Sequence, residues 1–245
     1  MTIGLVRNAS PPCDLHVPGS NRLLTLLEGT RDAGAIQRMD RVSLRRKTPL
    51  IEPHAMITDA WFPLTGVASL VIDIEEGPGL EIGTTGNEGM VGIPLVLGTK
   101  RSPTHAFVQV EGDFMRMPAA AFIAEFERNG AFADITRRYT QGLFSQMAQS
   151  SACLRFHAVE QRLCRWILAT HDRVGEHTLP LTQEFLALML GVQRPSVSLA
   201  AITLQKAGLI RYRRGVIEVL DREGLESGSC SCYSVVRKEF ERLLC

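Results

Sequence analysis

Leu181-Thr182-Gln183-Glu184-Phe185-Leu186-Ala187-Leu188-Met189-Leu190-Gly191-Val192-Gln193-Arg194-Pro195-Ser196-Val197-Ser198 is the stretch that decides the fold of this chain. Thr182 is a helix N-cap type, and Phe185, Leu186, Met189 and Leu190 recur at helical spacing as one buried face. Gly191 ends that helix, because a short connection here needs a residue that tolerates positive φ. A second helix starts near Arg194, where Pro195 is admissible since the first turn has no intrahelical partner for the missing N–H. Val197, Ala201, Ile202 and Leu204 are expected to face inward, and Gln193, Arg194, Ser196, Ser198 and Leu199 outward. Gly208 stops this helix, and Leu209 to Val219 reads as a hairpin turning at Arg213-Arg214-Gly215. Two short helices joined through glycine and followed by a basic hairpin make a winged helix-turn-helix.

Helix pairs with glycine turns also build ordinary bundles, so the outer face of the second helix carries the argument for function. Arg194 sits in its first turn beside small Ser196 and Ser198, which lets backbone and guanidinium approach a base edge. Arg211, Arg213 and Arg214 on the hairpin are placed to meet phosphates. The charge distribution agrees. From residue 156 to 222 there are nine Lys/Arg against six Asp/Glu, whereas residues 1–120 hold eleven against thirteen. A net formal charge of +1 for the whole chain conceals this asymmetry.

Moving toward the N-terminus, Ala131 to Leu154 runs without proline, and Ile135, Tyr139, Leu143, Met147 and Leu154 draw one apolar stripe along a long helix. Such a stripe either packs on its own domain or forms a seam with a second copy; the second reading makes these five residues the dimer interface. Before it lies a short helix, Ala119 to Arg128. Farther upstream the pattern is short β-rich runs broken by glycine and proline: Ala60 to Phe62, Val67 to Ile74, Leu80 to Ile82, Gly92 to Leu97, Ala106 to Val110 and Phe114 to Met117. Strands at this spacing suggest a closed or double-sheet fold, which leaves few edges to protect. The expected class is α+β, with an irregular arm (1–20), a β-roll of double-stranded β-helix or jelly-roll type as sensor (21–130), a dimerisation helix (131–155), the winged helix-turn-helix (156–222) and a C-terminal tail (223–245).

Composition sets the frame. The 245 residues suit two domains, and 45% apolar with 22% charged residues is ordinary soluble-protein usage. No run approaches the roughly 20 apolar residues that span a bilayer, and residues 1–18 lack the apolar core of a signal peptide, so the expected location is the cytoplasm and no membrane partner is foreseen. The six cysteines are too irregular for a disulfide scaffold, and reduced thiols are expected.

Several segments together carry a resemblance. Leu181 to Ala187, Leu190 to Ser198 and Leu204-Gln205-Lys206-Ala207-Gly208-Leu209-Ile210 are similar to the DNA-binding domain of CRP/FNR family regulators. Gly66 to Ile74, Gly86-Asn87-Glu88-Gly89-Met90-Val91-Gly92 and the long helix after Pro118 resemble that family's cyclic-nucleotide-type β-roll and dimerisation helix. The resemblance implies a bacterial transcription regulator: a homodimer on double-stranded DNA at a palindromic site, acting with RNA polymerase, with half-sites about 10–10.5 base pairs apart. It assigns DNA contact to Thr182, Gln193, Arg194, Ser196, Ser198, Leu199 and the hairpin arginines 211, 213 and 214. Arg194 matches the family arginine that reads guanine, and Ser196 a phosphate-contacting position. Pro195 and Leu199 depart from the family's glutamate and arginine, so the operator should differ at those pairs.

The resemblance places an effector pocket around Gly86, Asn87, Glu88, Gly89, Thr104 and His105. Cyclic-nucleotide binders hold the phosphate with an arginine beside a small hydroxyl residue; Thr104 and His105 stand there instead, so cyclic AMP and cyclic GMP are not expected. Cys13 alone does not supply the cysteine group of the family's iron-sulfur sensors. Cys230-Ser231-Cys232 with Cys245 reads either as a tail with adventitious thiols or as a redox- or metal-responsive tail. A C-x-C pair needs further ligands, and the tail has no histidine, so no metal site is assigned. A cupin-like metal enzyme would need two histidines and a carboxylate, and only His54 and His105 are available without an H-x-H pair. No enzyme activity is expected.

Overall fold

The computed structural model describes Val17, residues 19–75 and residues 77–245; the expected N-terminal arm with Cys13 falls almost wholly outside them. Helix α1 (Arg22–Glu28) is capped by Asn21, whose Oδ1 accepts from the backbone N–H of Leu23 and Leu24 at 3.1 and 3.3 Å. The same side chain donates to the carbonyls of Pro63 and Gly89 at 2.9 and 2.8 Å, so one buried amide both starts the helix and fixes it to the β-domain.

Seven strands follow, β1 (Asp40–Leu44), β2 (Pro49–Ile51), β3 (Asp59–Pro63), β4 (Val67–Ile74), β5 (Gly77–Thr85), β6 (His105–Val110) and β7 (Gly112–Pro118). They pair antiparallel in two sheets, β1-β7-β3 and β2-β6-β4-β5. Gly92 to Leu97, expected as a strand, instead forms α2 (Ile93–Val96): Gly92 takes φ +123°, and Pro94 sits in the first helical turn, where its missing N–H costs nothing.

Strand β4 shows why its sequence lacks polar alternation. Residues 67–71 are all buried. Ala68 and Leu70 point into the β-domain core, while Val71 belongs to the core of the C-terminal domain. The four-stranded sheet is therefore covered on both faces, which calls for a continuous apolar run rather than alternation.

Helices α3 (Ala119–Glu127) and α4 (Ala131–Phe156) lead to the C-terminal half. The apolar stripe on α4 is spent within its own chain. Ile135, Tyr139 and Leu143 are buried in the β-domain core, Met147 packs against it, and Leu154 lines the junction between the domains. Ile135, Tyr139 and Leu143 are not available as a dimer seam, because their apolar surface is already removed from water, while Met147 and Leu154 stay half-buried.

Next come α5 (Val159–Val174), β8 (Thr178–Pro180), α6 (Gln183–Leu190), α7 (Arg194–Lys206), β9 (Ile210–Arg213) and β10 (Val216–Val219). Residues 223–245, expected as a tail, are helical. Helix α8 (Arg222–Gly228) precedes α9 (Cys232–Leu244), which packs back along α4. Phe240 of α9 stacks near Tyr139 with centroids 6.0 Å apart, and a Cβ at Gly142 would stand 2.7 Å from the Phe240 ring, so that glycine permits the close approach. Arg138 and Arg22 donate to the carbonyls of Leu243 and Leu244, satisfying the last turn of α9.

Candidate nucleic-acid interface

Thr182 Oγ1 accepts from the Phe185 N–H at 3.3 Å and caps α6, and Gly191 ends it at φ +58°, a left-handed conformation that a side chain would strain. Helices α6 and α7 meet at 104°, within the range of DNA-binding helix pairs. Val197, Ala200, Ala201 and Leu204 form the buried face of α7. Ile202, expected inward, is 46% exposed; Ala200 takes the inward place because positions 197, 200, 201 and 204 make the continuous stripe.

The outward face carries Gln193, Arg194, Pro195, Ser196, Leu199, Ile202, Thr203 and Lys206. Ser198 is half-buried and donates to Gln183 Oε1 at 2.8 Å, bracing α7 on the start of α6 rather than standing free. Arg194 is exposed and held by Glu184 through an Nη1–Oε1 contact of 2.9 Å. The hairpin turns through Arg214 and Gly215, both at positive φ (51° and 77°), the pattern of a type I′ turn. Arg213 and Arg214 are exposed, whereas Arg211 is tied to Glu218 at 2.5 Å. A shallow groove lined by Thr182, Gln183, Glu184, Arg194, Tyr212 and Arg214 joins the start of both helices to the wing. Sequence reasoning missed Gln183, Glu184, Ile202, Tyr212 and Lys206; the helical period alone identifies Ile202 and Lys206, while Tyr212 enters through tertiary packing.

The domain is docked on the β-roll. On the outer face of the four-stranded sheet, Glu81 accepts from Trp166 Nε1 and Ser69 Oγ, both at 2.8 Å, and Phe185 makes edge contacts with Phe107 and Trp166. Burial pushes the Glu81 carboxyl up to about 7, with Trp166, Ser69 and the nearby Arg173 and Arg165 opposing. Glu88 holds Arg173 of α5 at 2.8 Å in a buried ion pair.

The expected effector residues separate. Glu88 and Asn87 are buried in structural bonds, with the Asn87 carbonyl accepting from Arg22 N–H, and Gly89 lies under the Tyr139 ring. Of the six, only Thr104 lines a cavity of about 150 Å³ between the β-roll and α4. Its other walls include Ile51, Leu70, Ile93, Leu143, Phe144 and Met147, with hydroxyls from Ser102, Thr104 and Thr140, and none of its lining residues is charged. His105 lies outside it, near Asp73 at 3.4 Å, and His54 occupies a turn at φ +59°.

Residues 161–227 match the family model of the Crp-like helix-turn-helix domain. A putative CRP/FNR family regulator from Eubacterium rectale superposes with a TM-score of 0.65 at 18% identity, over 82% of this chain and 94% of that one. FixK2 from Bradyrhizobium japonicum gives 0.67 at 13%, over 78% and 98%. The c-di-GMP responsive global regulator CLP of Xanthomonas campestris gives 0.60 at 15%, over 77% and 99%. No curated protein matches the sequence significantly. At 13–18% identity these structures establish a likeness of fold, that of CRP/FNR-type regulators. The matched segment, about a quarter of the chain, is a Crp-like helix-turn-helix domain. Among the described residues no single helix is long and apolar enough to cross a membrane.

Proposed function

We propose that the protein is a bacterial cytoplasmic regulator that binds a palindromic operator as a homodimer and couples occupancy of the β-roll to DNA affinity. The observation that carries this reading is the meeting of Arg194, at the start of α7, and Arg214, at the wing tip, in one exposed groove. Arg194 reads a G·C pair through its planar fork, Leu199 and Ile202 suit thymine methyl groups, and Arg213 and Arg214 meet phosphates. DNA competes with Glu184 for Arg194, an exposed pair that costs little to open.

The dimer seam in this reading is the solvent face of α4. Asp134, Arg137, Gln141, Phe144, Ala148, Ser151 and Arg155 are all exposed and follow one another at steps of three and four, the period of a two-stranded coil. Phe144, 51% exposed, is its apolar centre and also lines the cavity, so an occupant there touches the seam. With no cation on its walls the cavity suits a small uncharged, largely apolar effector. Contact with RNA polymerase completes the reading as a transcription factor.

Binding-site selection at two salt concentrations tests it. Arg194→Ala should relax preference at one G·C pair per half-site, at a cost of about 1–3 kcal/mol each. Arg213→Ala or Arg214→Ala should weaken all sequences alike and flatten the salt dependence. An unchanged selected motif for Arg194→Ala with an altered one for a wing variant would move base reading to the wing.

A further inference from the structure

The cysteines redistribute in three dimensions. Cys245, disulfide-bonded where a reduced thiol was expected, lies at the far end of α9, about 20 Å from Cys232 by the helical rise over 13 residues. Cys230 and Cys232 meet instead two residues of the α4 C-terminus, Cys153 and His157, one helical turn apart. The three Sγ atoms and a ring nitrogen of His157 all lie within 4.8 Å of one another. Cys153 Sγ is 3.5 Å from Cys230 Sγ, and Cys232 Sγ is 3.4 Å from His157 Nδ1.

We propose that Cys153, His157, Cys230 and Cys232 bind one zinc ion. Metal bonds of about 2.3 Å to sulfur and 2.0 Å to nitrogen in a tetrahedron require edges of roughly 3.5–3.8 Å. The two closest donor contacts nearly match those edges, and the 3.5 Å S···S distance is far beyond a covalent disulfide of about 2.05 Å. All four donors fit around a single ion, whereas an iron-sulfur cluster spreads its thiolates over several irons. Three sulfurs and one imidazole fill four positions and leave none for substrate, which makes the site structural.

The surroundings suit it. The Gln149 amide donates to Cys232 Sγ at 3.0 Å, an outer-sphere bond to a ligand sulfur. Three thiolates with one Zn²⁺ carry a net charge of −1, and Arg165 and Arg162 provide compensating charge beside Cys153. Buried thiols alone would pack as small hydrophobes without need of a histidine or an amide donor. The ion would tie the α8–α9 connection to the α4–α5 break at His157-Ala158, where the chain passes from sensor to DNA-binding domain. Zinc thereby clamps the junction, a role independent of whether the operator reading is correct.

Full-length protein purified under reductant without chelator should carry about one zinc per chain by elemental analysis. Cobalt exchanged into it should give the absorption of a tetrahedral thiolate site. Cys232→Ser and His157→Ala should weaken zinc binding by more than about 100-fold, since even second-sphere changes cost about 10–100-fold. Cys164→Ser, a buried thiol outside the group, should retain it. Where a ligand variant fails to fold, chelator competition on the unaltered protein decides the matter, with dissociation at or below nanomolar zinc expected. Reduced, folded protein that neither contains zinc nor binds zinc or cobalt below micromolar would overturn the proposal. So would peptide mapping that finds Cys153 and Cys230 joined as a disulfide in metal-free protein.

Discussion

Glu88 and Arg173 form a buried ion pair, 2.8 Å between Oε1 and Nη2, that joins the β-roll to the first helix of the DNA-binding half. Arg173 also donates to the Thr84 carbonyl and Gln146 Oε1, at 3.4 and 3.2 Å, so one guanidinium touches two β-roll positions and α4. These bonds tie the last turn of α5 to the β-roll. Arg173→Met should cost about 3–5 kcal/mol in urea unfolding, because Glu88 is left charged and buried. A double variant, Arg173→Met with Glu88→Leu, should recover much of that loss, and a double-mutant cycle reads the difference.

The two faces of α4 should respond differently to charge. Phe144→Asp with Ala148→Asp places like charges on the solvent stripe and should yield folded monomers by sedimentation velocity. Leu143→Asp lies in the β-domain core and should lower stability by at least about 3 kcal/mol, since an unpaired charge is buried. Folded dimers from the double variant would place the seam elsewhere.

Glu81 makes the domain junction sensitive to pH. Its folded value of about 7 lies above the ordinary 4.5, so the native state binds the proton more tightly than the unfolded chain. The contribution is full below about pH 4.5 and is lost as pH rises through 7, a fall on the order of 3 kcal/mol. Glu81→Gln should remove that slope. Urea titrations at pH 5, 6, 7 and 8 check it, and an identical slope in the variant would assign the effect to other groups.

Cyclic AMP and cyclic GMP should show no micromolar binding by calorimetry, because the cavity beside Thr104 has no cation on its walls to replace phosphate hydration. Thr104→Arg should create measurable affinity for anionic ligands there. Tight binding of either nucleotide to the unaltered protein would refute the apolar-effector reading.

The sequence by itself determined the helix pair, its glycine turn, the wing and most strands, because each rests on local rules. Thr182 caps within three residues, Gly191 supplies positive φ, and Arg214-Gly215 fit a two-residue hairpin. The stripe on α4 was equally legible, but periodicity says only that a face is buried, not against what. Tertiary structure decided that Ile135, Tyr139 and Leu143 serve their own β-domain, leaving the face around Phe144 exposed. It also folded residues 223–245 into helices, α8 against α5 and α9 back along α4, since the partners of an amphipathic helix such as α9 lie about a hundred residues away and leave no mark in its own pattern. The same long-range return brought Cys230 and Cys232 to Cys153 and His157. A C-x-C pair seen alone lacks ligands; the helix that supplies them is close only in the folded chain.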